Sequence, residues 1–316
     1  METAWVDQII DFLCSLAPEG SLYSYGYNVQ GLLALLLVSL ICGAVGSLVV
    51  GNRMAFFCDA LAHCAFAGVG VGVLLALLSG TTHEREIAHW VLPIMVGFGF
   101  LVGVGIAFVR EKTSLSSDTV IGVFFAGAMG FGVMIFKPLS RRSYFHPENF
   151  LFGDLISLNA EDLVLLFILA LVTAGVLVWM YNDMVLTSFN PSLARSRQVR
   201  VRLCSYLFIM LLALIVNLCL KIVGALLINA FLIVPAATAS LLGRNMRQLF
   251  WLTIGICLVV GVSGQWLSWE LTIPDPASPR EPLRFGASGI IIVLSVLLFF
   301  ASMGIGPLLR SRRQGA

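Results

Sequence analysis

Asp59 and His63 are the residues of this chain whose types and spacing could best do chemistry, since both are ionisable and lie in a largely apolar stretch. A spacing of four places their side chains on one face of a helix, one turn apart. A carboxylate with an imidazole is a ligand set that suits Mn²⁺, Fe²⁺ or Zn²⁺. A structural Asp–His hydrogen bond would use the same spacing, and the spacing alone does not separate the two hypotheses.

The cysteines around this pair do not extend it into a larger site. Cys58 and Cys64 flank it in sequence, but each is turned about 100° from its neighbour on a helix, so we interpret both as packing residues. None of the seven cysteines forms a C-x-x-C pair, and no disulfide framework is expected. Zinc usually takes about four ligands, so two from one helix would need a symmetric pair from a second chain.

The composition indicates what kind of chain must position these residues. Its 316 residues are 59% hydrophobic and 11% charged, whereas a soluble domain carries about 25% charged residues. Several apolar runs reach the roughly 20 residues that cross a bilayer, and in lipid they must be helical because every backbone polar group needs an internal partner. We predict an all-α, polytopic transmembrane bundle of eight or nine spans, in which an ionisable pair needs a partner or a water-filled path. The spans are expected at 31–51, 55–78, 91–109, 119–137, 161–181, 203–220, 222–242, 248–267 and 285–305.

The sixth and seventh spans are the least distinct, because only Lys221 and Gly224 interrupt the apolar stretch 203–242. That stretch is either two spans or one broken helix. Asn217 and Asn229 are polar positions within it. Hydrogen bonds between helices are the expected explanation for both, at about 0.6 kcal/mol each.

Basic residues in the short segments predict the orientation, since cytoplasmic loops are enriched in Lys and Arg. With the N-terminus outside, the arginines of the segment 182–202 and of the C-terminal tail face the cytoplasm. Arg141 and Arg142 are then outside, which weakens the bias. The chain is expected to comprise an extracytoplasmic lead-in at 1–30, a transmembrane permease domain at 31–305 with a cytoplasmic loop at 182–202, and a basic cytoplasmic tail at 306–316.

Asn190 and Pro191 open the strongest of the predicted cytoplasmic segments. Asn is a preferred N-cap and Pro is preferred at the first helical position, so a short helix is expected here, with Leu193 and Ala194 in its first turn. The segment is either a basic loop that sets topology or a helix that docks on a separate cytosolic motor. The chain has no G-x-x-x-x-G-K-[ST] phosphate loop and no recognisable catalytic motif, which favours transport over catalysis.

Four stretches resemble the permease subunits of the ABC metal-importer family that carries manganese, zinc or iron. The first, from Arg53-Met54 to Asp59-Ala60-Leu61-Ala62-His63, is similar to the family's R-M-x-x-x-G-D-x-L-A-H. Cys58 stands where Gly is usual and Ala65 where Ser is common, which could alter local packing. The other stretches are Asp118-Thr119-Val120-Ile121-Gly122 with the later Leu151-Phe152-Gly153-Asp154-Leu155, the Asn190–Ala194 segment, and Val223-Gly224-Ala225-Leu226-Leu227 through Val234-Pro235-Ala236-Ala237-Thr238-Ala239.

The resemblance implies a transporter subunit of the bacterial inner membrane that is not itself an enzyme. Asp59 and His63 match positions that meet the metal in the translocation path, and the residues of the predicted short helix would couple to the ATPase: Asn190, Pro191, Leu193 and Ala194. The implied partners are cytosolic ABC ATPase subunits, a second permease, identical or different, and an extracytoplasmic metal-binding protein. Membrane lipid surrounds the chain, and no nucleic acid partner is expected. The metal is cargo, and no permanently bound cofactor is implied.

Three alternatives remain at this point. A secondary metal–proton transporter would often show two similar halves, and none is evident. A non-transporting scaffold would have no use for Asp59 inside a membrane helix. An ABC permease for a metal chelate, such as a siderophore or cobalamin, would need a wide apolar path and no ligand pair.

Overall fold

The computed structural model describes residues 4–16, 18, 21–80, 84–139, 153, 158–273 and 283–314, and this part of the chain is almost entirely α-helical. The helices are α1 (Ala4–Leu16), α2 (Gly26–Gly51), α3 (Ala55–Leu78), α4 (Glu84–Lys112), α5 (Ser117–Leu139), α6 (Ala160–Phe189), α7 (Pro191–Ser196), α8 (Val201–Val223), α9 (Ala225–Leu242), α10 (Met246–Glu270) and α11 (Ala287–Gln314). A 3₁₀ turn (Leu22–Ser24) precedes α2, and the two-residue strands β1 (Thr272–Ile273) and β2 (Leu283–Arg284) pair in antiparallel orientation. The predicted all-α class is confirmed.

Nine helices of the described part are long and apolar enough to cross a membrane, namely α2 to α6 and α8 to α11. The stretch 203–242 is therefore two helices, α8 and α9. Gly224 separates them with a φ of +85° and a ψ of 157°, a conformation that is essentially restricted to glycine. The choice that the sequence left open between eight and nine spans is decided by this one residue.

The segment predicted as a loop at 182–202 is mostly helical. α6 continues to Phe189, because the sequence from 182 to 189 contains neither Gly nor Pro. Pro191 disfavours helical backbone at the residue before it, so the helix ends there. At the two ends of the chain, α11 continues to Gln314, and the segment 1–30 contains α1 and the first residues of α2.

The described helices form two compact units, and the first comprises α1, α2, the first half of α6, α9, α10 and α11. Glycines bring α2 close to its neighbours in this unit. A Cβ on Gly43 would fall 2.7 Å from Ile254 Cα of α10, and one on Gly46 would fall 2.8 Å from the carbonyl oxygen of Leu232 in α9. Small residues allow such backbone contact, which membrane helices use because lipid gives them no hydrophobic drive to associate.

The second unit comprises α3, α4, α5, the second half of α6, α7 and nearly all of α8. α3 packs on both α4 and α5. Gly68 and Gly72 give α3 a flat face, and a Cβ on either would fall 2.9 Å from a Cα of α4, at Met95 and Val91 respectively. The helix that carries Asp59 and His63 is thus held by direct backbone contact with α4.

Candidate metal site

Asp59 and His63 lie on the most accessible face of the first three turns of α3. The residues of this face recur at helical spacing and are partly accessible: Phe56, Asp59, His63 and Phe66. The other side chains of the same turns are completely buried: Phe57, Cys58, Ala60, Leu61 and Ala62. An ionisable pair that faced lipid would cost several kcal/mol, so this face must meet water or another protein surface.

The imidazole of His63 is oriented by the backbone of its own helix. Its Nδ1–H donates to the carbonyl oxygen of Asp59 at 2.9 Å, while Asp59 Oδ1 lies 3.5 Å from Nδ1, beyond the usual length of such a bond. A carbonyl oxygen only accepts, so Nδ1 carries a proton, and in the neutral tautomer with this bond the lone pair is on Nε2. In metal-binding histidines, the N–H of the second ring nitrogen usually donates a hydrogen bond in this way. The side chains of Asp59 and His63 are 39% and 23% exposed.

Phe125 of α5 completes the surroundings of the imidazole. Its ring centroid lies 5.5 Å from that of His63 in an edge-to-face arrangement, and Phe66 contributes a second ring at 6.4 Å. Phe56 reaches Phe125 at 6.5 Å between centroids. Two aromatic rings, those of Phe125 and Phe66, thus lie against the imidazole of His63. No local feature of the sequence indicates Phe125, because this residue reaches His63 only through the packing of α5 on α3.

Within the described residues, the pair Asp59 and His63 is not part of a larger cluster of metal-capable side chains. No group of three or more His, Cys, Asp or Glu side chains that could hold a metal occurs there. Cys58 and Cys64 are fully buried free thiols, while Asp59 and His63 remain accessible, so the interpretation of the cysteines as packing residues is confirmed.

The short helix predicted at Asn190 is present as α7. Asn190 Oδ1 accepts hydrogen bonds from the backbone N–H groups of Ser192 and Leu193, both at 3.1 Å, and Pro191 is the first helical residue. Leu193 is 46% exposed, whereas Ala194 is completely buried. Of the two apolar residues expected to face a partner, only Leu193 is available to do so.

An ion pair that the sequence did not indicate follows α7 at the start of α8. Arg202 Nε lies 2.9 Å from Glu111 Oε1 of α4, and the hydroxyl of Tyr206 donates to Glu111 Oε2 at 3.0 Å. Arg202 was predicted only as a topology-setting charge. The structure adds that it ties α8 to the end of α4.

Asn217 does not make the bond between helices that the sequence suggested. Its Nδ2 donates to the carbonyl oxygen of Ala213 in its own helix at 2.6 Å. The amide packs on the backbone of α4, where a Cβ on Gly99 would fall 2.6 Å from Asn217 Cγ. The side chain thus fills the space that a glycine leaves, and its burial is a packing effect.

Two of the stretches that carried the family resemblance meet through glycines. Gly153 has a φ of +70°, and a Cβ there would overlap the carbonyl group of Val223 and fall 2.6 Å from Gly224 N. Gly153 therefore packs directly on the break between α8 and α9. The remaining residues of its stretch, 151–152 and 154–155, lie outside the described residues.

Nine helices in the described part of the chain that are long and apolar enough to cross a membrane, one of them with a partly accessible carboxylate–imidazole pair, indicate a polytopic membrane protein. The chain belongs to the ABC 3 transport family, whose model matches residues 24–305. The predicted family is thereby confirmed, and the chain is a multi-pass protein of the bacterial inner membrane.

Curated relatives and a solved structure extend the similarity over most of the chain. The manganese transport system membrane protein MntC of Listeria innocua is 24% identical over 90% of this chain and 93% of its own length. The high-affinity zinc uptake system membrane protein ZnuB of Haemophilus influenzae is 29% identical over 75% and 86%. The structure of PsaBC from Streptococcus pneumoniae in complex with Fab has a TM-score of 0.72 at 22% identity and covers 92% of this chain and 96% of its own, which supports the fold.

Proposed function

We propose that this chain is the membrane-spanning permease of an ABC importer that moves a divalent transition metal, manganese, zinc or iron, into the cytoplasm. ATP is hydrolysed by separate cytosolic subunits. The observation that carries the proposal is the geometry of Asp59 and His63, whose side chains are partly accessible on a membrane helix while Nδ1 of His63 bonds to the backbone. The manganese and zinc transport relatives support the same class of cargo.

The pair supplies one anionic and one neutral donor, which suits a transition metal stripped of most of its water. A divalent ion in a low-dielectric path needs charged or strongly polar ligands to offset its desolvation. Two ligands from one chain leave its coordination incomplete, since about four is usual for zinc. The same pair on a second permease, identical or different, supplies the rest, and an extracytoplasmic metal-binding protein delivers the ion.

α7 is the element that we assign to coupling with the ATPase. Asn190 caps the helix and Pro191 starts it, so its position is fixed by local bonds. Leu193 contacts the ATPase from its exposed position, and the buried Ala194 anchors the helix to the permease. The arginines that follow α7 support a cytoplasmic location, with the lead-in at 1–30 outside and the tail at 306–316 inside.

The metal assignment is tested by three substitutions that separate ligand loss from loss of structure. His63→Asn keeps an amide N–H close to the position of Nδ1, which preserves the bond to the Asp59 carbonyl, but removes Nε2. His63→Gln places its amide nearer the Nε2 position, and Asp59→Asn keeps size but removes the charge. Asp11→Asn, an exposed carboxylate of α1 outside the family match, is the matched control.

Uptake of radiolabelled manganese, zinc and iron is measured in cells and normalised to membrane-inserted chain. We expect His63→Asn, His63→Gln and Asp59→Asn to lose at least about tenfold of uptake, as expected for the loss of a metal ligand, with insertion unchanged. Asp11→Asn should transport normally. A structural role for His63 gives a different result, with near-normal uptake in His63→Asn because the hydrogen bond to the backbone survives. That result would overturn the ligand assignment.

A further inference from the structure

A groove of about 680 Å³ runs along the surface of the first unit, between α10 and α11. Its floor and walls are apolar except at one end. The lining residues are Arg247, Gln248, Trp251, Leu252, Gly255, Ile256, Val259 and Leu298. Four of them recur every four residues of α10, from Arg247 to Val259, so the groove follows one face of the helix.

Gly255 is the reason that the groove is open at its centre. A Cβ added there would meet no atom within 4 Å, so the missing side chain leaves space and does not serve helix packing. Glycine in an exposed helix interior costs about 1 kcal/mol relative to Ala. The close contacts of Gly43 and Gly46 offset that cost with packing, and Gly255 has no such contact.

The charge at the groove is confined to one end. α10 carries Arg247 near its start, and its only acidic residue is Glu270 at its far end. Trp251, which is 64% exposed, lies one turn from Arg247, at a position typical of the membrane interface. This end of the groove therefore attracts anions.

We propose that the groove binds one phospholipid with an anionic headgroup, whose phosphate contacts Arg247 and whose acyl chain lies over Gly255. From Arg247 to Val259 the helix rises about 18 Å, close to the roughly 15 Å depth of one leaflet. A lipid of the leaflet on the arginine side thus matches the groove in length as well as in charge. Basic pockets between membrane helices are established sites for anionic headgroups.

The test is native mass spectrometry of the full chain in detergent, titrated with dioleoylphosphatidylglycerol or dioleoylphosphatidylcholine. Arg247→Gln removes the charge in the groove, and its control Arg244→Gln removes a charge from the same end but outside the lining. Gly255→Leu fills the groove. Its control Gly175→Leu adds the same side chain to open space on α6.

We expect the unmodified chain to retain one phosphatidylglycerol in preference to phosphatidylcholine. Arg247→Gln should weaken phosphatidylglycerol binding about fivefold and erase the preference, and Gly255→Leu should abolish retention of either lipid. Both controls should bind like the unmodified chain. Equal binding of the two lipids, or full retention in Gly255→Leu, would overturn the proposal. A loss of dimers in Gly255→Leu with lipid binding unchanged would also overturn it, because the groove would then be covered by a second copy.

Discussion

Adding a Cβ at both Gly68 and Gly72 should disrupt the close contact between α3 and α4. Gly68 and Gly72 lie one turn apart on α3, and a Cβ on either would approach a backbone Cα of α4 to 2.9 Å. Ordinary contacts begin near 3.4 Å, so the helices would have to move apart by about half an ångström or more. Backbone atoms cannot rotate away as a side chain does. The perturbation is therefore Gly68→Ala combined with Gly72→Ala.

The magnitude follows from two opposing terms. Overpacking of this kind costs about 1–3 kcal/mol at each position. The change from Gly to Ala in a helix returns up to about 1 kcal/mol. Gly127 and Gly130 of α5 give a matched pair, because a Cβ at either meets nothing within 4 Å. Replacing both by Ala brings the same gain in helix propensity without a steric clash. The free energies of unfolding of the two double variants should therefore differ by at least about 2 kcal/mol.

The assay is thermal unfolding of the purified chain in detergent, followed by the fraction that remains monodisperse after heating. For a chain of this length about 2 kcal/mol corresponds to a melting temperature lower by roughly 3 °C. The melting temperature of the Gly68–Gly72 variant should lie that far or further below that of the Gly127–Gly130 variant. Metal uptake per inserted chain should also decrease, because α3 carries Asp59 and His63, the proposed ligands. Equal melting temperatures for the two variants would refute the inference that backbone contact holds α3.

Leu193→Asp should uncouple ATP hydrolysis from uptake, because it removes the exposed apolar surface of α7. Leu193→Met keeps that surface and should preserve both activities. Full uptake in Leu193→Asp would contradict the docking role. Gly153→Ala should prevent recovery of folded chain, because the φ of +70° at Gly153 and its contact with Gly224 exclude a Cβ. Gly175→Ala, where a Cβ meets nothing within 4 Å, should give a normal yield. A normal yield of Gly153→Ala would contradict the close packing of Gly153 on Gly224. A cysteine placed by Arg197→Cys in a cysteine-free chain should resist an impermeant reagent added outside intact cells, and labelling there would reverse the proposed orientation.

Much of the fold could be predicted because its causes are local. Whether a helix can cross a bilayer depends on the length and polarity of a single segment, so all nine spans in the described part of the chain were found and most of their limits agree to within a few residues. The larger differences are that α2 begins at Gly26 and that α6 continues to Phe189. The cap at Asn190 and Pro191 needs only neighbouring residues, and α7 begins there as expected. The shared face of Asp59 and His63 follows from helical geometry in the same way.

The site itself was only partly visible, because its remaining parts come from packing. No residue near His63 in sequence indicates Phe125, and the bond between His63 Nδ1 and the backbone depends on the rotamer of the imidazole. Gly68 and Gly72 did offer a signal, since small residues four apart mark close helix contacts in membranes. Asn217 was misjudged because its polarity suggested a partner on another helix, whereas its amide bonds within its own helix.

The sequence by itself determined that the chain crosses the membrane repeatedly, where most spans lie and which two residues can offer metal ligands. The tertiary structure alone decided that Ala194 is buried while Leu193 is exposed, that Gly153 lies on the break at Gly224, and that Gly255 opens a groove. The physical reason is the solvent. In water an apolar face marks the core, but in a bilayer the faces toward lipid and toward protein are equally apolar, so hydrophobic pattern does not distinguish them and only the packed structure does.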